Sequence, residues 1–322
     1  MVRQPPRERE HICVDVKSTP PVSGGVLLLD KPAGMTSTRA LARARRLLGI
    51  RKAGHTGTLD PFATGLLPLA FGEATKFSRF LLDARKSYEA TLRLGDVTTT
   101  GDPESEVVSR RPVLADDARI DAVLDRFIGV QQQVPPMHSA LHHEGRRLYE
   151  WARSGIEVER PARRIEVHSL ARLARRGDDL CLAVCCSKGT YVRSLAQDIG
   201  EALGCGAYLI GLRRTSVGPF TIEQAESLEE LESTGVGLAL EKLLAPESLV
   251  QGLPVICLAQ DDAERVLHGQ TLPEGRDLAA GEVALFGPDS RFLGVGRCEG
   301  AGRVVPVRLM VSANRSDSPD FA

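Results

Sequence analysis

The pattern of apolar and polar positions predicts both strands and helices in the larger, N-terminal part of the chain. Residues 88–94 alternate between apolar and polar side chains, as in a strand with one buried face. Apolar runs typical of buried strands occupy residues 26–29, 66–71 and 180–186. A helix is expected to begin after Thr36 or Ser37, both suitable N-caps, and to end at Gly49. Two further amphipathic helices are predicted, over residues 115–127 and from Leu195 to Gly204.

The pattern changes at Leu253 and predicts a small β-rich unit over residues 253–314. Asp261 is expected to cap a short helix that ends at Gly269. Strands are predicted at residues 283–286 and 292–295, as a hairpin around residues 287–290, and at residues 304–310. We therefore divide the chain into a disordered polar tail (1–22), a main domain (23–252) with an insertion at about 131–160, the C-terminal unit, and a polar tail (315–322).

Composition is that of an ordinary globular protein. Of the 322 residues, 42% are hydrophobic and 26% charged, enough for two or three domains with a sizeable core. No apolar run reaches the about eighteen residues of a membrane span, and the polar N-terminus lacks the apolar region of a secretory signal. Seven irregularly spaced cysteines indicate reduced thiols. We therefore expect a cytoplasmic protein that is not bound to a membrane.

Charge is unevenly distributed, although the net charge is only −1. Residues 39–52 carry six basic side chains and no acid, and residues 146–176 carry nine arginines against four glutamates. The acidic segment from Glu223 has a helical pattern and is expected to be a connector. In the first predicted helix, three arginines without an acidic partner lie opposite the apolar face: Arg39, Arg43 and Arg46. They form either a solvated face or a set of phosphate contacts.

The sequence offers no motif for a metal or a cofactor. Three cysteines lie within residues 181–186, but neighbouring residues of a strand point to opposite faces. There is no Cys-x-x-Cys pair and no His-Glu-x-x-His. Three histidines within residues 138–143 lie in an arginine-rich loop, where surface histidines are common. Phosphate-binding and dinucleotide-binding glycine loops are also missing, so we expect no cofactor and no metal.

Residues 54–69 place a single carboxylate in a segment dense with glycine, threonine and proline. The first eight residues read Gly-His-Thr-Gly-Thr-Leu-Asp-Pro. Asp60 precedes a proline, which disfavours a helix and favours a turn. The glycines permit tight bends or a close approach of the backbone to a ligand. On these residues alone, Asp60 is either an ordinary turn residue or a carboxylate held on a constrained loop.

The longer run resembles the catalytic motif of the bacterial tRNA pseudouridine synthase B (TruB) family. After this octapeptide, the resemblance continues through Ala-Thr-Gly-Leu-Leu-Pro at residues 63–68 and Gly-Glu-Ala-Thr-Lys at residues 72–76. Cys-Ser-Lys-Gly-Thr-Tyr-Val-Arg at residues 186–193 resembles a second signature of the family, and Asp-Lys-Pro-Ala-Gly at residues 30–34 resembles a short third one. The C-terminal unit looks like the small PUA-type RNA-binding domain that ends these enzymes.

The resemblance implies roles for individual residues. Asp60 is the catalytic residue, Arg193 pairs with it and keeps it ionised, and Tyr88 is the active-site tyrosine that stacks on the target base. The implied substrate-binding residues, in addition to Tyr88, are His55, Tyr191 and Leu212 in the uridine pocket, Lys31 in the motif that buttresses the site, and Arg39, Arg43 and Arg46. The insertion departs from the family pattern, because Met-His-Ser-Ala-Leu-His at residues 137–142 replaces Met-Tyr-Ser-Ala-x-Lys.

The activity implied by the resemblance is that of an isomerase, a tRNA pseudouridine synthase. It would flip out the T-loop uridine at position 55, detach the base from C1′ and rejoin it through C5. Whether Asp60 attacks as a nucleophile or acts as a base on the sugar stays open. The implied fold is α+β, a mixed, largely antiparallel sheet flanked by helices, followed by the PUA-like domain.

The resemblance also implies that the partner is the T-stem-loop of tRNA and that the chain acts as a monomer without an obligate protein partner. Two alternatives remain open. The chain could be a non-catalytic RNA-binding module in which Asp60 is a turn residue. It could also be a guide-RNA-dependent relative that needs partner proteins.

Overall fold

A computed structural model describes residues 24–139, 141–273 and 279–310, and the two predicted tails lie outside the described residues. The helices are α1 (Ser37–Leu48), α2 (Arg79–Leu82), α3 (Asp117–Arg126), α4 (Leu148–Arg153), α5 (Val192–Leu203), α6 (Leu228–Glu241) and α7 (Gln260–Leu267). The strands are β1 (Val26–Lys31), β2 (Ala53–His55), β3 (Thr64–Phe71), β4 (Lys86–Leu94), β5 (Asp96–Thr98), β6 (Val107–Arg110), β7 (Gly129–Gln133), β8 (His142–His143), β9 (Arg146–Arg147), β10 (Arg163–Arg176), β11 (Asp179–Cys186), β12 (Ala207–Val217), β13 (Phe220–Thr221), β14 (Glu226–Ser227), β15 (Val255–Cys257), β16 (Gly281–Phe286), β17 (Phe292–Cys298) and β18 (Val304–Leu309).

One mixed sheet organises the larger part of the molecule. Its strand order is β14-β1-β3-β12-β4-β11-β10-β7, with β2 paired to β3 and β13 paired to β12. Only β1 with β14 and β3 with β12 are parallel, and the other pairs are antiparallel. Apolar side chains from α1, α3, α5 and α6 form the main core against this sheet. The architecture is the predicted one, a largely antiparallel sheet flanked by helices.

The first helix forms for the reasons that its sequence suggests. The Thr36 side chain accepts a hydrogen bond from the Arg39 N–H, which satisfies one of the free donors at the helix start. Gly49 ends the helix in the left-handed conformation, with φ of 68°. Ala40, Ala44 and Leu48 share the buried face, as their spacing predicts.

Two strands differ from the prediction. β10, Arg163–Arg176, was not predicted at all, because most of its side chains are exposed and many are arginines, so it has no clear apolar alternation. Before Gly211 the sequence predicts only a short apolar strand, yet β12 continues to Val217 and pairs with β4 along its whole length. As a result, Leu212 and the two arginines that follow it lie in the centre of the sheet.

Two helices also differ from the prediction. The N-cap of α7 is Ala259, and Asp261 lies in the first turn, where its negative charge favours the helix dipole. The acidic segment after Glu223 is not a free connector. It contains α6, which packs against α1 and buries Leu228 and Leu231 in the main core.

The C-terminal unit is a four-stranded sheet in the order β15-β16-β17-β18, with the predicted hairpin between β16 and β17. It is fixed to the main sheet by a second core, in which Phe77 and Phe292 pack edge to face at 5.2 Å between ring centroids. The predicted domain boundary at residue 253 stays a prediction. In the described ranges, no helix is long and apolar enough to cross a membrane, and the six described cysteines are free thiols.

Candidate active site

The loop that carries Asp60 connects β2 to β3, and side chains hold it on both sides of Asp60. The Ser37 hydroxyl, at the start of α1, donates to the Leu59 carbonyl (3.0 Å) and accepts from the Leu59 N–H (2.8 Å). After Asp60, the Pro61 carbonyl accepts from Lys31 Nζ at 3.3 Å and from the Gly34 N–H at 2.9 Å. The backbone position of Asp60 is therefore fixed before any substrate binds.

Lys31 supports this loop from a fully buried position. Its Nζ also donates to the carbonyls of Met35 (2.7 Å) and Pro32 (2.8 Å). Burial lowers the pKa of Lys31 to about 8, and the nearby Asp60 carboxylate acts in the opposite direction. This geometry is that of a residue that buttresses the loop. The implied contact between Lys31 and substrate stays a prediction.

Asp60 faces the guanidinium of Arg193. The distance from Arg193 Nε to Asp60 Oδ2 is 3.0 Å, and Nη2 lies 3.5 Å from Oδ1. The Arg193 side chain is 4% exposed, whereas that of Asp60 is 34% exposed. Arg193 is the second residue of α5, so the helix fixes the guanidinium while the loop presents the carboxylate.

A second carboxylate, Asp102, shares this guanidinium and was missed by the sequence reasoning. Arg193 Nη1 lies 3.0 Å from Asp102 Oδ2 and also donates to the Thr100 carbonyl. Arg193 Nη2 donates to the His138 carbonyl at 2.7 Å, so the insertion reaches the site through its backbone. The available signal was that Asp102, like Asp60, precedes a proline in a turn-rich segment.

The pKa of Asp60 is raised above its ordinary value. Burial is the largest cause, the Arg193 guanidinium opposes it, and the Asp102 carboxylate adds to the rise. Arg193 thus acts toward the ionised form but does not outweigh burial. The expectation that Arg193 keeps Asp60 ionised stays a prediction.

Two tyrosines lie within electrostatic reach of Asp60. Tyr88, on β4, is 8% exposed. Tyr191 immediately precedes α5, and Gln133 holds its backbone by two hydrogen bonds: Tyr191 N–H donates to Gln133 Oε1 (2.8 Å), and Gln133 Nε2 donates to the Tyr191 carbonyl (3.1 Å). Two aromatic side chains thus lie within electrostatic reach of one carboxylate, and a flipped-out base needs an aromatic wall in place of its lost stacking.

The other two predicted pocket residues belong to the same region. His55 ends β2, and burial, followed by the nearby Arg214 charge, lowers its pKa, which favours the neutral imidazole. Leu212 lies on β12 beside Ala90 of β4 and is partly buried against the main core. Among the described residues, no group of histidine, cysteine and carboxylate side chains is arranged to hold a metal ion.

The three arginines of α1 are not equivalent. Arg39 and Arg46 are exposed, as predicted. Arg43 forms a bidentate ion pair with Glu232 of α6, with Nη2–Oε1 and Nη2–Oε2 distances of 2.6 and 2.7 Å. The expectation that all three lack an acidic partner is wrong for Arg43, because the acidic segment folds back onto α1.

Family models match almost the whole described chain. They are "TruB family pseudouridylate synthase (N terminal domain)" at residues 45–192, "tRNA pseudouridylate synthase B C-terminal domain" at residues 193–250, and "Pseudouridine synthase II TruB, C-terminal" at residues 254–310. The class that the fold and site define is thus that of the pseudouridylate synthases.

Curated relatives give the same result. Proteins named tRNA pseudouridine synthase B are 52% identical over 293 residues in Burkholderia lata, covering 90% of this chain and 91% of the relative, and 52% identical over 288 residues in Aromatoleum aromaticum, covering 89% and 92%. Among solved structures, a Cbf5–Nop10–Gar1 complex contains a chain with 27% identity and a TM-score of 0.69, covering 89% of this chain and 84% of the other. The chain belongs to the TruB family of pseudouridylate synthases.

Proposed function

We propose that this chain is a tRNA pseudouridine synthase that isomerises the T-loop uridine at position 55, with Asp60 as the catalytic residue. The observation that carries the proposal is the partly exposed Asp60 carboxylate, which is ion-paired at 3.0 Å to the buried Arg193. Tyr88 and Tyr191 lie within its electrostatic reach. A partly exposed acid held by a buried guanidinium is a candidate for attack on a bound nucleotide.

In the proposed reaction, the C1′–N1 bond of the flipped uridine breaks and a C1′–C5 bond forms. The proton on C5 is lost to solvent, and N1 gains a proton, so atoms and charge balance without a co-substrate. Asp60 acts first, either as the nucleophile or as a base on the sugar. Arg193 positions its carboxylate, Tyr88 and Tyr191 stack on the base, and His55 and Leu212 line the pocket.

Replacement of Asp60 by asparagine tests this proposal, because it removes the charge with little change in shape. We expect Asp60→Asn to release no tritium from a tRNA transcript labelled at uridine C5, while it binds that tRNA with near wild-type affinity. Asp121→Asn, which changes an exposed carboxylate paired with Arg172, is the matched control and should keep full activity. Tritium release by Asp60→Asn would show that the assignment is wrong.

The proposed position in tRNA has its own test. A transcript in which only the T-loop uridine at position 55 is replaced by cytidine should bind the wild-type protein and release no tritium. Release that persists from this transcript would place the reaction at another uridine. A non-catalytic RNA-binding module, by contrast, would bind both transcripts and release tritium from neither.

We further propose that the chain acts in the cytoplasm as a monomer without guide RNA or a protein partner. The relatives that share about half of its residues are named tRNA pseudouridine synthase B, whereas the neighbour from the Cbf5–Nop10–Gar1 complex shares 27%. The purified chain alone should convert an unmodified tRNA transcript and elute at monomer mass in light-scattering chromatography. Activity that appears only after other proteins or RNA are added would favour the guide-dependent alternative.

A further inference from the structure

Arg214 is a buried cation in the centre of the main sheet. It lies on β12 next to Arg213, and strand alternation sends the two side chains to opposite faces. Arg213 points outward and pairs with Asp30 at 2.6 Å, where its side chain is 40% exposed. Arg214 points inward, is 1% exposed, and is among the largest fully buried side chains of the described residues.

The Arg214 guanidinium joins the two ends of the Asp60 loop. Nε donates to the Leu66 carbonyl at 2.7 Å, after the loop, and Nη1 lies 3.4 Å from the Thr58 carbonyl, before Asp60. Two glycines of the motif lie next to this residue. A methyl carbon added at Gly65, in β3, would lie 2.3 Å from the Arg214 carbonyl oxygen, so glycine is needed there for the close approach of the two strands. One added at Gly57, in the loop, would lie 3.6 Å from Arg214 Nη1, which is an ordinary contact distance.

Arg214 also lies next to Tyr88 in the sheet. Arg214 and Tyr88 are register partners in the antiparallel pair of β12 and β4, so their side chains lie on one face of the sheet. Burial raises the pKa of the Tyr88 phenol, and the nearby Arg214 charge acts in the opposite direction. One side chain thus bonds to the loop that presents Asp60 and is the cross-strand neighbour of Tyr88.

A buried arginine at this position lowers the stability of the fold. Its titratable neighbours include Lys31, Lys86 and the neutral His55, and among the described residues Arg214 forms no ion pair with a carboxylate. Its Nη2 is buried without a hydrogen-bond partner among the described atoms. A buried cation with a free donor destabilises a fold by at least about 1–3 kcal/mol relative to a satisfied group. Stability alone does not account for an arginine here.

We propose that Arg214 is a positioning residue that fixes the Asp60 loop and the Tyr88 phenol relative to each other. Arg193 acts on the Asp60 carboxylate itself, whereas Arg214 acts on the backbone around it and on the neighbouring ring. The proposal rests on the proposed roles of Asp60 and Tyr88. Its consequence is that a change at Arg214 slows the reaction and leaves tRNA binding intact, because the side chain is buried and does not reach the tRNA surface.

The test uses Arg214→Lys, which keeps the charge and cannot span both carbonyls, and Arg214→Met, which removes the charge. We expect the single-turnover rate of tritium release to fall on the order of 100-fold for Arg214→Lys, the effect of a small misplacement of catalytic groups. Its Kd for tRNA should stay within about twofold of the wild-type value. Arg213→Lys, on the neighbouring outward residue, is the matched control and should keep the wild-type rate.

A double-mutant cycle that combines Arg214→Lys with Tyr88→Phe shows whether Arg214 acts through the phenol. We expect Arg214→Lys to slow the Tyr88→Phe enzyme much less than it slows the wild type, because the phenol hydroxyl that Arg214 would position is already gone. Equal slowing in both backgrounds, or a wild-type rate in Arg214→Lys and Arg214→Met, would overturn the proposal. So would a rate loss matched by an equal loss of tRNA affinity or folded protein. An active Asp60→Asn would refute the proposed function instead, whatever the result at Arg214.

Discussion

Asp60 and Asp102 share the guanidinium of Arg193, and this sharing governs the charge state of the candidate catalytic carboxylate. Burial and the Asp102 charge raise the pKa of Asp60, and Arg193 opposes them. An Asp60 that must be ionised to act loses activity as the pH falls through this raised pKa. The acid limb of the rate profile should therefore lie at higher pH than the ordinary aspartate value.

Replacement of Asp102 by asparagine should move this acid limb to lower pH. The change removes a like charge near Asp60 and leaves Arg193 to a single carboxylate, and both effects lower the pKa of Asp60. The maximal rate should fall, because Arg193 loses its buried anchor. The measurement is the single-turnover rate of tritium release from about pH 5 to pH 8 for wild type and Asp102→Asn. An unmoved or raised acid limb would mean that another group controls it.

The same pKa shift predicts that Asp60→Asn does not destabilise the fold. A carboxylate whose pKa is higher in the folded than in the unfolded chain makes an unfavourable contribution when it is ionised at pH 7. Asparagine removes that contribution, so the free energy of unfolding at pH 7 should equal or exceed the wild-type value, with the difference shrinking toward pH 4. Asp102→Ala should instead lower it by about 1–3 kcal/mol, because the buried Nη1 of Arg193 loses its carboxylate and the guanidinium keeps only the partly exposed Asp60 as an ion-pair partner.

Denaturant titration of the three proteins checks this contrast. A clear loss of stability in Asp60→Asn would mean that the Asp60–Arg193 pair holds the fold together. If Asp60→Asn is inactive and at least as stable as the wild type, it behaves as expected of a residue that serves catalysis and not stability.

At this scale, sequence reasoning found the residues that lie inside long motifs and missed those defined by contacts. Asp60 and Arg193 were paired by their motifs, and the structure brings them within 3.0 Å. Asp102 and Arg214 were not singled out, because their positions depend on which distant strand or loop packs beside them. Adjacent arginines in a strand were a usable signal, since alternation must turn one of them inward.

At the scale of elements, α6 neutralises part of the basic surface of α1. The pair between Arg43 and Glu232 is only half-buried, so it contributes at most about 1 kcal/mol to stability. Its larger effect is on charge, because it leaves Arg39 and Arg46 as the exposed cations among the three predicted phosphate contacts. An acidic helix laid along a basic one reduces the number of phosphates that α1 can hold.

Glu232→Gln should therefore strengthen tRNA binding and steepen its salt dependence. The change frees Arg43, and each added phosphate contact increases the slope of log K against log salt by up to about one unit. Glu229→Gln, an exposed glutamate on the same helix with the same charge change, is the control. Filter binding at several salt concentrations measures both, and equal slopes for the two variants would show that Arg43 does not reach phosphate.

Replacement of the two exposed arginines should act in the opposite direction. Arg39→Gln with Arg46→Gln should flatten the salt dependence by up to about two units, one per lost contact. The slope should change less for Arg43→Gln, because that charge is already paired. An unchanged slope of log K against log salt in the double variant would show that this face of α1 is only solvated and has no role in tRNA binding.

Elements with a clear period were predicted well, and elements set by tertiary contacts were not. The alternation in β4 and the caps of α1 are local features, and both agree with the structure. β10 lacks alternation because much of it is exposed, and the second half of β12 carries two arginines whose contacts with Asp30 and with the Asp60 loop depend on the tertiary fold. The partner of α6 could not be found, since an acidic helical pattern does not say what it packs on.

At the scale of the whole molecule, the catalytic sheet and the C-terminal sheet share one apolar core. Val26, Leu28 and Leu66 of the main sheet lie in the same cluster as Ala284, Phe292 and Val295 of the C-terminal sheet. Polar contacts at the edge join the same two units, such as Lys76 Nζ with the Leu309 carbonyl at 2.9 Å. Leu66 is also the residue whose carbonyl receives Arg214, so this shared core continues directly to the Asp60 loop.

A shared core predicts that the two units unfold together and that Phe292→Ala separates them. Phe292 is buried between the sheets, and its loss should cost about 3–5 kcal/mol. Because the lost contacts lie between the units, we expect one denaturant transition in the wild type and two in Phe292→Ala.

Leu293→Ala is the matched control, since Leu293 is buried inside the C-terminal unit alone. It should lower stability and keep the units coupled. Two transitions in the wild type would contradict the shared core, and so would a single transition in Phe292→Ala with unchanged stability.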